Sequence, residues 1–354
     1  MDNQLSFFDL TDRYSQLSKK GDPLERLDEV IDWKEFDDIL AYVKKKGREA
    51  RECHSNAGRK SFGSRTMLKV LVLKHLYNLS FEQVEYQLKD RLSFMRFVGV
   101  GLNGTVPDEN TVRNYFEQYK ETGAWDKLIR TFDKILEKAG YKAQEGSIVD
   151  ASIVEAPRQR NTPEENRTIK EGNIPEEWEK VPNKLRQKDT DARWVQKRGQ
   201  NYFGYKLHTL VDVKHKFVRK AMVTDASVHD SNVYGKLTKG DKNDVKRVHA
   251  DSGYLNSKDA LPQTYEAVVC EKGYRNHPLT DEQKRNNRKK SHIRARVEHV
   301  YGFIFGSMGL FIRTIGMARA KATIRGSVFV YNISRFATLV KGPKRPREKC
   351  AQPA

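Results

Sequence analysis

Along the first 140 positions apolar residues recur at spacings of three and four; after position 147 the spacing shortens to two. Residues 24–41 carry helical fragments, and a polar basic stretch ending Gly58-Arg59-Lys60 follows. From Arg65, Met67, Leu68, Leu71, Val72, His75 and Leu76 share one broad face, and the other apolar residues among them predict a helix buried on several sides. Ser80-Phe81-Glu82-Gln83 reads as a capping box, with Phe81, Val84 and Leu88 forming the apolar side of the helix it opens. Pro107-Asp108-Glu109 opens another helix, in which Val112, Tyr115, Phe116 and Tyr119 recur. A third spans 124–139, with Trp125, Leu128, Ile129, Phe132, Ile135 and Leu136 on one stripe and Gly140 as its C′ residue. The pattern predicts an N-terminal arm, partly helical, over 1–60 and a compact all-helical domain over 61–140.

Beyond that point short β-rich runs take over: 147–154, 202–212, 216–224, 247–251 and 267–270. A short helical segment separates the last two, and a long helix starts near Ser291. The expectation is α+β overall, with an α/β domain built on a mixed sheet over 141–340. Residues 156–200 are rich in Pro, Asn, Glu, Arg and Lys, with Trp178 and Trp194 their only aromatics, and read as a linker or exposed polar insertion. The tail over 341–354 carries Lys341, Lys344, Arg345, Arg347 and Lys349 and reads as a disordered basic arm.

Charge changes the picture. Across 354 residues, 66 Lys+Arg against 47 Asp+Glu leave a formal surplus of +19, which favours a polyanionic partner. With 37% hydrophobic residues a wholly disordered chain is excluded. The longest apolar run, Val70-Leu71-Val72-Leu73, is far short of the ~20 residues of a membrane span. Met1-Asp2-Asn3-Gln4 lacks a secretory pattern, so the expected location is cytoplasmic, with no membrane partner. Cys53, Cys270 and Cys350 form neither a disulfide framework nor a zinc motif.

Three carboxylates stand out by context. Asp150 lies inside an apolar strand, Asp251 ends another before the turn-like Ser252-Gly253-Tyr254, and Glu298 lies in a basic helix, Arg294-Ala295-Arg296-Val297-Glu298-His299. A carboxylate at the end of a buried strand is costly unless a cation, a donor or a metal offsets it. Neighbouring strands would bring two of them together, and a helical glutamate would complete an oxygen-only set suited to Mg²⁺ or Mn²⁺. Two such ions serve in-line phosphoryl transfer. The same residues also admit a plainer reading: strand-terminating aspartates, and a Glu298 paired with Arg294 at i−4.

Four motifs occur in an order that resembles DDE transposases of bacterial insertion sequences, nearest to insertion sequence family five: Gly146-Ser147-Ile148-Val149-Asp150-Ala151-Ser152-Ile153-Val154-Glu155-Ala156-Pro157, Phe203-Gly204-Tyr205-Lys206-Leu207-His208, Ala250-Asp251-Ser252-Gly253-Tyr254 and Ile293-Arg294-Ala295-Arg296-Val297-Glu298-His299. Gly58-Arg59-Lys60, Thr66-Met67-Leu68-Lys69, Leu76-Tyr77-Asn78-Leu79-Ser80 and Val106-Pro107-Asp108 resemble that family's N-terminal domain. The resemblance spans roughly residues 55–340. It implies an RNase H-like catalytic domain interrupted by the insertion, with Asp150, Asp251 and Glu298 as a triad holding two Mg²⁺ or Mn²⁺ ions. It further implies cleavage at terminal inverted repeats, attack of the freed 3′-hydroxyl on target DNA, and a homodimer or higher oligomer that holds two ends.

DNA contacts are expected from Lys206 and His208 on the second strand and from Arg294 and Arg296 beside the glutamate. Thr111, Arg113 and Asn114, at the start of a helix, fit base-edge readers. His229-Asp230 matches a family motif and reads as structural. The chain departs from the wider signature at Ser291, Gly302 and Phe305, which stand where relatives carry a tyrosine, an arginine and a lysine. The competing readings are a domesticated relative that binds DNA without cutting it, and an RNase H-like nuclease acting on RNA or branched DNA.

Overall fold

The computed structural model describes residues 9–50, 61–240, 246–251, 254, 266–274 and 277–342. Gly58-Arg59-Lys60, the Ser252-Gly253 turn, the helical segment expected before the last strand and the tail beyond Gly342 lie outside the described residues.

The helical half contains α1 (Asp9–Lys19), α2 (Pro23–Val30), a 3₁₀ turn at Trp33–Phe36, α3 (Asp37–Glu49), α4 (Ser64–Leu76), α5 (Phe81–Asp90), α6 (Leu92–Val98), α7 (Glu109–Glu121) and α8 (Ala124–Lys138). Its start signals work as read. Ser80 and Gln83 form a reciprocal capping box on α5, and Asp108 caps α7 by accepting from Thr111 N–H at 2.7 Å. α4 buries Met67, Leu68 and every residue from Val70 to His75, because helices pack around it on several sides.

The second half holds β1 (Ser147–Glu155), α9 (Pro163–Lys170), α10 (Glu176–Glu179), α11 (Pro182–Arg186), β2 (Arg193–Lys197), β3 (Gln200–Asp212), β4 (Val218–Asp225), α12 (Ser231–Thr238), β5 (Arg247–Ala250), β6 (Glu266–Val269), α13 (Asp281–Arg294), a 3₁₀ turn at Ala295–Val297, α14 (Glu298–Tyr301), a π-helical turn at Gly302–Ser307 and α15 (Met317–Lys341). The α+β architecture is the expected one. The strands form a mixed sheet ordered β2-β3-β1-β5-β6, with β4 also on β3. β1 runs antiparallel to β3 and parallel to β5, and β5 is parallel to β6.

Side chains alternate across the sheet, giving each face its own core. Ile148, Val154, Leu207 and Val211 point into a large core shared with the helical half. Val149, Leu210, Val248 and Ala250 pack with Val233, Tyr234 and Leu237 of α12 on the other side. The element that joins the two halves is α15. It packs on α2, α4, α7, α8 and β4, so a helix late in the sequence lies inside the core begun by the first helices. Phe329 meets Phe36 at 5.6 Å and Phe132 at 6.1 Å between ring centres, while Asn332 clasps both polar atoms of Val218 at the start of β4.

The expected polar insertion is ordered. Thr162 and Glu165 form a capping box on α9, and the Trp178 indole is buried, donating to Glu165 Oε1 at 2.6 Å. Asp189, also buried, accepts from Tyr205 Oη at 2.7 Å and from Ala192 N–H at 3.1 Å. One buried indole and one buried carboxylate organise a stretch whose composition hides them. The β2–β3 hairpin turns at Arg198 (φ 52°) and Gly199 (φ 78°), a left-handed pair that matches the twist of a two-residue hairpin loop.

Candidate active site

Asp150 stands on β1 opposite Thr209 of β3. The parallel register Ser147↔Val248 and Ile148↔His249, carried on by two residues, sets Asp251, just past the end of β5, level with Asp150 in the middle of β1. Alternation aims both at the face over which α13 and α14 pass. Tyr301 of α14 is anchored there: its Oη lies 2.9 Å from Thr209 Oγ1. Glu298, one turn earlier on the same helix, is exposed.

The electrostatics join these groups. Burial pushes the Asp150 carboxyl up to about 6, and the Glu298 charge pushes the same way; the Ala151 amide, Arg294 and Lys197 pull it down. The Arg294 guanidinium sits 2.7 Å from Asp251 Oδ1 and answers the aspartate, not Glu298. The 3₁₀ turn over 295–297 is the reason. At about three residues per turn it winds Glu298 tens of degrees further round than an α-helix would, away from the i−4 arginine. The three carboxylates have the oxygen donors that hard divalent ions take. Among the described residues, however, no three His, Cys, Asp or Glu side chains are gathered closely enough to hold an ion.

Residues 141–333, more than half of the chain, match the family model described as "Transposase DDE domain", and residues 12–118 match "Transposase domain (DUF772)". The chain belongs to the DDE transposase family. It is a DNA transposase, and its family uses divalent metal ions. Among solved structures it is similar to a piggyBac transposase in a synaptic complex with hairpin DNA, at 11% identity and a TM-score of 0.45, over 90% of this chain and 75% of that one. No helix among the described residues of the transposase is long and apolar enough to cross a membrane.

The residues expected to touch DNA fall into two groups. Lys206 and His208 of the transposase are buried. Lys206 Nζ donates to Val228 O at 2.6 Å and lies 2.9 Å from Asp230 Oδ1; His208 Nε2 is 2.9 Å from Thr224 Oγ1. Burial lowers the His208 imidazole to about 4, so near neutral pH it is uncharged. Both side chains lie beside α12, on the sheet face opposite Asp150, where their hydrogen bonds brace the sheet. His229 Nδ1 meets Ser231 Oγ at 2.6 Å where α12 begins.

The others reach solvent. Arg113 and Asn114 are exposed on α7, with Arg113 paired to Glu109; Thr111 is partly buried. Arg296 donates to Val213 O at 3.1 Å and keeps a partly exposed side chain. Ser291 Oγ lies 3.7 Å from the sulfur of Cys270, Phe305 stacks on Tyr301 at 5.8 Å, and Gly302 opens the π-helical turn. Just after the glutamate, the two positions where cations were expected therefore hold a glycine and a phenylalanine packed on a buried tyrosine.

Sequence reasoning missed the basic side chains further back on α13. α13 buries no residue, and Arg285, Arg288, Lys289 and His292 are exposed on it without a carboxylate partner among the described residues. Their spacing of 3, 1 and 3 places them on one face that ends at the candidate site. The signal was present in the sequence, but the helix was expected to begin ten residues later.

Proposed function

We propose that Asp150, Asp251 and Glu298 are the catalytic carboxylates of this transposase and that they hold two Mg²⁺ or Mn²⁺ ions. What supports the reading most is the parallel β1–β5 register, which sets Asp251 level with Asp150, with the Glu298 charge acting on Asp150. Divalent ions bound there would activate the attacking oxygen and stabilise the leaving oxygen of a phosphodiester. Arg294, already against Asp251, neutralises that carboxylate in the metal-free protein and keeps it within the site.

The substrate in this reading is the terminal inverted repeat of the element that encodes the chain, and the freed 3′-hydroxyl then attacks target DNA. The exposed face of α13, with Arg294 and Arg296, holds phosphates near the scissile bond, and Arg113 and Asn114 of α7 reach a more distant part of the repeat. Two ends must be held at once, which calls for at least a homodimer, acting in the cytoplasm at the nucleoid.

Strand cleavage on a labelled fragment carrying the terminal repeat tests this, with wild type and Asp251→Asn each assayed in Mg²⁺ and in EDTA. Metal-dependent nicking at the repeat boundary, lost in Asp251→Asn, is the expected result. Repeat binding without nicking under any metal would instead indicate a DNA-binding relative that does not cut.

A further inference from the structure

The β2–β3 hairpin has no role in the reading above. β1 pairs with β3 only as far as Glu155↔Gly204, whereas β2 pairs from Arg193↔Gly204 to Lys197↔Gln200. Residues 193–203 therefore form a two-stranded ribbon that runs on past β1. Its base is fixed: Trp194 and Phe203 pack with ring centres 5.2 Å apart, and Phe203 is buried. Its tip is entirely polar or glycine. Gln196, Lys197, Arg198, Gly199, Gln200 and Asn201 are all exposed, and the turn itself is a rigid left-handed pair.

A ribbon whose tip buries nothing has no stake in the protein's own core. Its residue types are those that read base edges: arginine and lysine towards guanine, glutamine and asparagine towards adenine. Its width is one the DNA major groove admits. Its position relative to the site follows from the register: Thr209 of β3 faces Asp150, and the ribbon begins at Gly204, five residues away on the same strand.

We propose that the β2–β3 hairpin enters the major groove of the duplex beside the scissile bond, with Lys197 and Arg198 reading guanine edges there. This rests on the proposed catalytic reading and adds a specificity element next to the cut, separate from α7. Specificity so placed would let the site sense whether the bases flanking the bond belong to an element end.

The test compares wild type with Lys197→Ala/Arg198→Asn. Asparagine before Gly199 keeps the left-handed turn, so the ribbon itself is retained; an unchanged melting temperature checks this. Binding is measured on a duplex carrying the terminal repeat and on a scrambled duplex of equal length, and guanine N7 protection from dimethyl sulfate maps the major groove. The expected result is a roughly 30-fold or greater loss of preference for the repeat, two lost base contacts at about 1–3 kcal/mol each, with loss of N7 protection beside the cut and little change on scrambled DNA. Equal losses on both duplexes with a flatter salt dependence would mean phosphate contact only and would overturn the proposal, as would unchanged preference. If wild type cleaves the repeat and the variant is indistinguishable from it, only the hairpin assignment fails. A wild type that neither prefers nor cleaves the repeat removes the catalytic reading and this inference together.

Discussion

Burial holds the Asp150 carboxyl at about 6, whereas in an unfolded chain it would ionise near 3.8. The folded state thus binds this proton more tightly. The stability it contributes is full below about pH 3.8 and is lost as pH rises through about 6. Without divalent metal at about pH 7.5, Asp150→Asn is expected to melt higher than wild type, by on the order of 1–3 kcal/mol, with the two converging below about pH 4. Equal midpoints at both pH values would contradict the burial argument. Adding Mg²⁺ should raise the melting temperature of wild type and leave Asp150→Asn nearly unmoved, since a ligand stabilises only the state that binds it. At this scale the sequence was misleading about the partners of the three carboxylates. Arg294 at i−4 from Glu298 reads as a helical ion pair, and only the local 3₁₀ winding gives it to Asp251. Lys206 and His208 alternate correctly on β3, but which face α12 covers is not a local property of that strand.

At the level of elements, caps and periodicity carried most of the legible information. Ser80, Asp108 and the stripe from Trp125 to Leu136 fixed three helices because each signal is complete within a few residues. β2 was missed since Trp194 and Val195 are its only apolar residues and its register is imposed by β3. Two glycines mark where elements approach most closely. A Cβ at Gly326 of α15 would lie 2.4 Å from His75 Nε2, and that imidazole is itself wedged edge-on against Trp125 at 5.0 Å. Gly326→Ala improves helix propensity by about 1 kcal/mol yet should destabilise the protein, because overpacking a filled core costs about 1–3 kcal/mol. Denaturant titration would show a lower midpoint; a higher one would mean that α4 and α15 can separate without loss. Gly204 has φ 153°, and a Cβ there would meet Val154 O at 2.2 Å. Gly204→Ala should therefore open the β1–β3 ladder at its end and loosen the hairpin, read as faster amide exchange over 193–204 than over 206–212.

Over the whole molecule, the histidines decide the response to acid. Burial lowers His75, His208, His215, His249 and His299, with His208 and His249 at about 4. Against these five, Asp150 and Asp212 are raised. A depressed histidine contributes stability that is full above about pH 6.5 and is lost as pH falls through its folded value. With His208 and His249 both held at about 4 against Asp150 at about 6, the melting temperature should fall from about pH 7 to about pH 4; a rise over that range would count against the buried-neutral assignment. A chain stopped at Gly316 tests the role of α15. Without it, Phe36, Phe132 and His75 lose the neighbours that α15 supplies, and limited proteolysis should cut the helical half as readily as the sheet. That contribution was the least legible of all, since nothing in the apolar run of α15 says that it belongs to helices some 300 residues upstream.

The placement of α15 also sets an order of events during synthesis. At about 5–20 residues per second, roughly 15–60 s separate the emergence of α2 from that of its partner in α15. Throughout that interval the helices that would recognise DNA are on the ribosome without the segment that completes their core. In the proposed reading, competence to grip a DNA end and competence to cut it therefore arrive together, once α15 has emerged, and a ribosome interrupted before that point releases a fragment with neither.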